Sequence, residues 1–191
     1  MAHLSILGTG NMGQAIAAIA GKGGHTVQLL NTNDADTQVT GDIVVLAVPY
    51  PSLSEIVATR SESLAGKVVV DITNPLNFET FDSLVVAADG PAAAELAAAL
   101  PQSSVLKAFN TNFAATLASG TVGSLKTTVL IAGDDADAKS TLAGVITSGG
   151  LDVVDAGALS RARELEALGF LQLTLAVREQ LSWAGGFGVV A

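Results

Sequence analysis

Apolar runs and stretches with helical spacing alternate along this chain, and the alternation predicts its elements. Leu4 to Leu7 is a short apolar run, the pattern of a strand covered on both faces. Asn11 to Ala20 follows with Met12, Ile16 and Ile19 at helical spacing, and Gly21 and Gly23-Gly24 close it. Thr26 to Leu30 predicts a second strand, and Ile43 to Val48 a third that Pro49 and Pro51 end. Ser52 is placed to cap a short helix through about Ala58. Val68 to Ile72 and Val105 to Phe109 read as the next strands. Between them, Asp89-Gly90-Pro91 opens an Ala-rich helix that stops at Pro101, with Pro91 suited to the first helical position. Val129 to Ile131, a helix from about Asp135 to Gly149-Gly150, a short strand at Val153-Val154 and a long helix from Ser160 to Leu181 complete the series.

Strands alternating with helices predict an α/β protein of the Rossmann type. The expected sheet is doubly wound and mostly parallel, with a small C-terminal strand/helix extension. The length of 191 residues suits one α/β domain over 1–191, with a core of about 1–120 and an extension of about 121–191. The seam falls in the small residues Ser119 to Ser124.

Composition narrows the function. Hydrophobic residues at 49% and charged residues at 14% exclude a disordered chain. The 9 Lys+Arg against 18 Asp+Glu leave a net charge of −9, which excludes a nucleic-acid partner. There is no Cys, so thiolate chemistry is excluded, and the isolated His3 and His25 predict no metal site. The first residues lack a basic segment followed by a cleavage pattern. The most apolar helical stretch, Leu165 to Val177, is interrupted by Glu166, Gln172 and Thr174 and is too short to cross a bilayer. A cytoplasmic protein without a membrane partner is the expectation.

The strongest chemical signal is Gly8-Thr9-Gly10-Asn11-Met12-Gly13. Alone a GxGxxG pattern is weak. Here it follows a strand and opens a helix, the context of a dinucleotide site. Gly8 permits the tight turn, Gly10 lets backbone approach a diphosphate, and Gly13 lets helix pack on strand. The second strand ends in Leu30-Asn31-Thr32-Asn33-Asp34, where an NAD enzyme places an acidic residue on the ribose. Asn31, Thr32 and Asn33 are neutral donors that tolerate a 2′-phosphate, although the usual Arg is missing. Asp34 would play the NAD role if the loop folded back. NADP is therefore the favoured cofactor and NAD the alternative. The twelve residues from Asn31 to Asp42 leave no room for a full helix, so the adenine side should be open.

The glycine loop and several further segments resemble one family. They are Ile43 to Pro49, Gly66-Lys67-Val68-Val69-Val70-Asp71-Ile72-Thr73-Asn74-Pro75-Leu76, Lys107-Ala108-Phe109-Asn110-Thr111, Gly133-Asp134-Asp135 and Asp155-Ala156-Gly157. Together they look like the NADPH-dependent reductases of coenzyme F420, whose broader relatives include the cytoplasmic oxidoreductase domains of membrane metalloreductases. The resemblance implies hydride transfer between NADP(H) and a flavin-like ring stacked on the nicotinamide. Such transfer needs positioning and water exclusion more than proton transfer. No Ser/His/Asp set and no Tyr-x-x-x-Lys dyad is present, so no catalytic acid–base residue is assigned. Carried over by position, Thr9, Asn11 and Met12 line the diphosphate and nicotinamide. Ala47, Val48 and Pro49 border the dinucleotide, Asn74 and Pro75 lie near the nicotinamide ribose, and Asn110 and Thr111 face the cleft.

The chain departs from that pattern in two ways. The basic residues after the second strand are absent, and the C-terminal part is short. The small-molecule hydride acceptor or donor is thus open: a deazaflavin, a flavin, a quinone, or a small carbonyl or imine compound. A non-catalytic dinucleotide-binding sensor or subunit is the alternative from another class. Arg161, Arg163 and Glu164 read as a solvated helix face. Trp183 and Phe187 form an apolar tail that is either frayed or a contact surface, and a homodimer is the expectation drawn from it.

Overall fold

The computed structural model describes residues 1–31, 34, 37–87 and 89–190. Its main sheet has seven strands in the order β2-β1-β3-β4-β5-β8-β9. They are β1 (His3–Leu7), β2 (Thr26–Leu30), β3 (Ile43–Leu46), β4 (Val68–Asp71), β5 (Ser104–Ala108), β8 (Thr128–Gly133) and β9 (Asp152–Gly157). All neighbours are parallel except β5 and β8. This is the α/β Rossmann-type, mostly parallel sheet that the alternation predicted. Strand β3 shows why the apolar runs were legible: all four of its residues are buried, because helices cover both faces.

One face carries α1 (Asn11–Lys22), α4 (Ala114–Ser119) and α5 (Ala136–Ser148). Ile16 and Ile19 of α1 pack there with Leu142 and Val145 of α5 over Leu4, Ile6 and Val45. The other face carries α2 (Leu53–Leu64) and α3 (Ala92–Ala99), with Leu53, Leu64, Ala93 and Leu96 over Leu7, Val44 and Val69. Helix α6 (Ala162–Val177) closes the C-terminal edges of β4 and β5 through Glu166 and the Leu165 carbonyl.

Several boundaries differ from the sequence expectation. Helix α2 runs past Ala58 to Leu64, whose fully buried side chain anchors its last turn. Strand β3 stops at Leu46, where the chain turns beside the glycine loop. Pro91 is the N-cap of α3, one residue ahead of the first helical position. The long C-terminal helix is split: a 3-10 turn at Leu159–Arg161 precedes α6, which ends at Val177. The seam contains a small hairpin of β6 (Thr121–Val122) and β7 (Leu125–Lys126). The C-terminal strands extend the main sheet rather than forming a layer of their own.

The connection from β2 to β3 has no α-helix among its described residues. It runs back along β1 instead. Gly41 N–H donates to Ser5 Oγ at 2.8 Å, Asp42 N–H donates to the His3 carbonyl at 3.0 Å, and Val39 is buried in the α2-side core. Asp135 caps α5 by accepting from the N–H groups of Asp137 and Ala138, as the acidic start predicted. A hydrogen bond from Ser104 and those backbone bonds hold its carboxyl below the usual range.

Candidate functional site

The site begins where β1 hands over to α1. Gly8 N–H donates to the Leu30 carbonyl at 2.8 Å, and Ala47 N–H donates to the Leu7 carbonyl at 2.8 Å. The loop is thus pinned between the ends of β2 and β3, which diverge on either side of β1. Ligands of open α/β sheets bind at such a point. Gly8 has φ of +119°, and a Cβ on it would overlap the Ala47 carbonyl. A Cβ on Gly13, in the first turn of α1, would overlap the Gly8 carbonyl. These two glycines hold helix and strand together.

Gly10 is different. It is the N-cap of α1 with φ −71° and ψ −175°, a conformation open to any residue. A Cβ there meets nothing within 4 Å. Nothing in the protein requires glycine at this position. The α1 terminus has no side-chain cap and no acidic residue in its first turn. Its N–H groups and positive dipole end face open space, which is an anion site.

Two cavities flank the loop. The first, about 190 Å3, lies beyond Gly8 and is bounded by Leu30, Asn31, Val48 and Pro49. Its far wall is one face of α2: Glu55, Ile56, Thr59 and Arg60 recur at helical spacing after Ser52. Asn31 N–H donates to the Asp34 carboxylate at 2.8 Å, so Asp34 does fold back to the end of β2. Thr32 and Asn33 lie outside the described residues.

The second cavity, about 430 Å3, lies beyond Asn11 and Met12. Ile72 and Asn74 border it after β4, Phe109, Asn110 and Asn112 after β5, and Phe113, Leu173 and Trp183 close it. The Phe113 and Trp183 rings are 5.0 Å apart, so the C-terminal tail folds onto the cleft and is not frayed there. No lining residue of this cavity is ionisable. Asn110 Nδ2 donates to Asn74 Oδ1 at 2.9 Å and to the Leu165 carbonyl at 2.8 Å, while Asn74 Nδ2 donates to the Asn110 carbonyl. The two asparagines thereby lock β4, β5 and α6 together. Asn110 Oδ1 and Asn112 Oδ1 are buried without a hydrogen-bond partner. Phe109, fully buried, has φ of +61°, a strained conformation worth about 1–3 kcal/mol that sets the turn into Asn110.

The other sequence candidates are spread around this frame. Thr9 is exposed on the loop, and its carbonyl accepts from Gln14 Nε2 at 3.4 Å. Ala47 sits under Gly8. Pro75 and Thr111 are buried behind the second cavity and do not line it. The sequence reading missed Ile56 and Arg60, whose helical spacing on α2 was a usable signal. It also missed Phe113, Leu173 and Trp183, which only the tertiary fold brings to the cleft.

A buried charge cluster was missed as well. Lys107 Nζ lies 2.9 Å from Asp71 Oδ2, 2.9 Å from Glu166 Oε1 and 2.6 Å from the Thr73 carbonyl, and the three charged side chains are at most 1% exposed. Glu166 also accepts from the Ala92 and Ala93 N–H groups at the start of α3. Arg161 and Arg163 pair with Glu164 on the surface, the solvated face that was expected.

A dinucleotide fits what is present. The loop offers an uncapped helix terminus at an open glycine, with one cavity for each end of an extended molecule. The orphaned oxygens of Asn110 and Asn112 can accept from a carboxamide. The fold and loop define a Rossmann-type dinucleotide-binding protein.

The family model for coenzyme F420-dependent NADP oxidoreductases matches residues 27–75. The chain is 26% identical over 166 residues to the F420-dependent NADP reductase of Methanocaldococcus jannaschii, covering 85% of this chain and 74% of that protein. It is 29% identical over 181 residues to metalloreductase STEAP3 of Rattus norvegicus, covering 86% of this chain and 36% of that protein, so it spans about a third of that relative's length. A crystal structure of a candidate F420-dependent NADP reductase from Arthrobacter sp. FB24 superposes with a TM-score of 0.85 at 25% identity, over 98% of this chain and 99% of that one. The chain is thus similar to the coenzyme F420-dependent NADP oxidoreductases in sequence and fold.

Proposed function

We propose that this protein binds NADP(H) across the glycine loop and transfers a hydride between its nicotinamide and a small organic acceptor of flavin or deazaflavin type. The observation that carries the proposal is Gly10, a glycine that its own fold does not need, at the uncapped start of α1. The relatives named for NADP-dependent reduction support NADP as the cofactor.

When bound, the dinucleotide supplies the hydride. The protein's part is placement. The α1 terminus holds the diphosphate, and the α2 face holds the adenosine end. Asn110 and Asn112 orient the carboxamide from their free oxygens. Phe113, Leu173 and Trp183 give the second cavity an apolar wall. That cavity has no ionisable lining, which suits a transfer between stacked rings and offers nothing for proton chemistry.

Fluorescence titration with NADPH and NADH tests the binding step, and NADPH oxidation with flavin, deazaflavin and quinone acceptors tests the transfer. Micromolar NADPH binding that Gly10→Val abolishes is the expected outcome. Retained binding in that variant sinks the loop assignment. Binding without turnover by any acceptor favours a sensor. The reading includes a cytoplasmic location and a homodimer. The location is consistent with the absence of any described helix long and apolar enough to cross a membrane, and fractionation that finds the protein in membranes removes it. The exposed Trp183, Phe187 and Val190 support the dimer, and a monomer in sedimentation velocity removes it.

A further inference from the structure

The chain lacks a basic residue in the turn after β2, yet a 2′-phosphate at the end of that strand needs a cation. Between Lys22 and Lys67 the sequence holds one permanently charged cation, Arg60. The fold brings it to the required place. Arg60 lines the first cavity with Gly8 and Asn31. Its guanidinium donates to the Thr37 carbonyl at 2.8 Å and to the Asp34 carbonyl at 2.6 Å, which holds it over the end of β2. Two of its five N–H groups make these bonds, and a guanidinium presents the others in a fixed fork.

The other cations are committed elsewhere. Lys107 is inside the buried cluster. Lys126, Lys139 and Arg178 pair with Asp152, Asp155 and Asp82, and Arg161 and Arg163 with Glu164. Lys67 donates to the Gly41 carbonyl at the opposite end of the sheet, and Lys22 sits in the last turn of α1.

We propose that Arg60 is the specificity-determining residue for NADP(H), reading the 2′-phosphate from helix α2 instead of from the turn after β2. The proposal rests on the dinucleotide reading above and adds the residue that chooses between NADP and NAD. Glu55 is the other charged residue lining the cavity. Arg60 cancels it, and without Arg60 the lining would repel a dianionic phosphate. Asp34, whose carboxylate accepts from the Asn31 N–H at the end of β2, is the acidic group there that would favour NAD+, and Arg60, which donates to the Asp34 carbonyl, is the cation set against it.

The test is calorimetric titration of wild type, Arg60→Gln and Arg60→Lys with NADP+, NAD+ and 2′,5′-ADP at two salt concentrations, with circular dichroism confirming the fold. Arg60→Gln should lose roughly 10- to 100-fold in affinity for NADP+ and 2′,5′-ADP while NAD+ binding stays within about twofold. Its salt dependence for NADP+ should flatten, and Arg60→Lys should recover part of the preference. Unchanged NADP+ affinity in Arg60→Gln overturns the proposal. So does an equal loss for both dinucleotides, which would make Arg60 a support for Asp34 and Thr37 only. A wild type that prefers NAD+ overturns it while leaving dinucleotide binding intact. A wild type that binds neither removes the underlying reading as well.

Discussion

The three loop glycines should respond oppositely to one added methyl group. At Gly8, alanine would adopt φ of +119° and press its Cβ into the Ala47 carbonyl. Backbone strain costs about 1–3 kcal/mol and overpacking about as much again, so Gly8→Ala should lose about 2–6 kcal/mol. Gly13→Ala has an ordinary helical backbone but overlaps the Gly8 carbonyl, and should lose about 1–3 kcal/mol or more. Gly10→Ala meets no atom within 4 Å. Alanine is a poorer N-cap than glycine by somewhat under about 1 kcal/mol, and the stiffer unfolded chain returns about 0.4–1 kcal/mol. The net change should lie within about 1 kcal/mol of wild type. Its methyl would still occupy the space a diphosphate needs, so NADPH affinity should fall at least about tenfold, or about 1.4 kcal/mol. Urea denaturation followed by circular dichroism gives the stabilities, and calorimetry gives the affinities. The reasoning fails if Gly10→Ala unfolds as readily as Gly8→Ala. It also fails if Gly10→Ala is stable and binds NADPH like wild type.

Two further outcomes are expected from other parts of the molecule. Lys107→Met fills a similar volume but leaves Asp71 and Glu166 without their buried cation, and should cost about 3–5 kcal/mol in urea denaturation; a loss below about 1 kcal/mol would refute the cluster as a structural lock. Tyr50, the sole tyrosine, donates to Glu95 at 2.7 Å, and its pKa is pushed from 10.0 up to about 12 by burial and by that hydrogen bond. Protonated Tyr50 therefore contributes stability that is complete below pH 10 and lost as pH rises toward about 12, and tyrosinate absorbance should report a midpoint that Glu95→Gln lowers; a wild-type midpoint at 10 refutes the contact.

How much of this was legible depends on how far apart in sequence the cause lies. Strands β1 and β3 to β5 announced themselves because they are almost wholly buried between helices and read as largely apolar runs, while the partly exposed edge strand β2 was read from its β-branched and apolar residues alone. The glycine loop was legible because turn, approach and packing need glycines at fixed short spacing. The reversal of β8 was not. Helix α4 has six residues, about 9 Å, and cannot carry the chain back along a strand of about 17 Å, so β8 starts near the end of β5 and runs antiparallel. No helix is predicted from the sequence between these strands, only a seam of small residues at Ser119 to Ser124, so neither the short helix nor the reversal was foreseen. The twelve-residue β2–β3 connection was legible as lacking room for a helix. Its consequence, that α2 would supply the wall and the cation of the first cavity, needed the fold.

The buried cluster is the most instructive omission. Lys107 reads as one charge near the end of a strand, and Asp71 as another. Neither predicts a partner on α6. The structure joins them and adds Glu166, which also accepts from the N–H groups that open α3. Such a cluster beside a cleft invites a catalytic reading. Its side chains are sealed from solvent, and none of them lines the second cavity. What the cluster does is fix α6 against β4, β5 and α3. Helix α6 in turn presents Leu173 to the cleft and leads into the tail that carries Trp183. The ionisable groups of this region therefore hold the walls, and the cavity they shape is left uncharged. That division suits hydride transfer, where rate depends on the distance and alignment of two rings and on keeping water out. The polar residues that matter here act by holding helices in place.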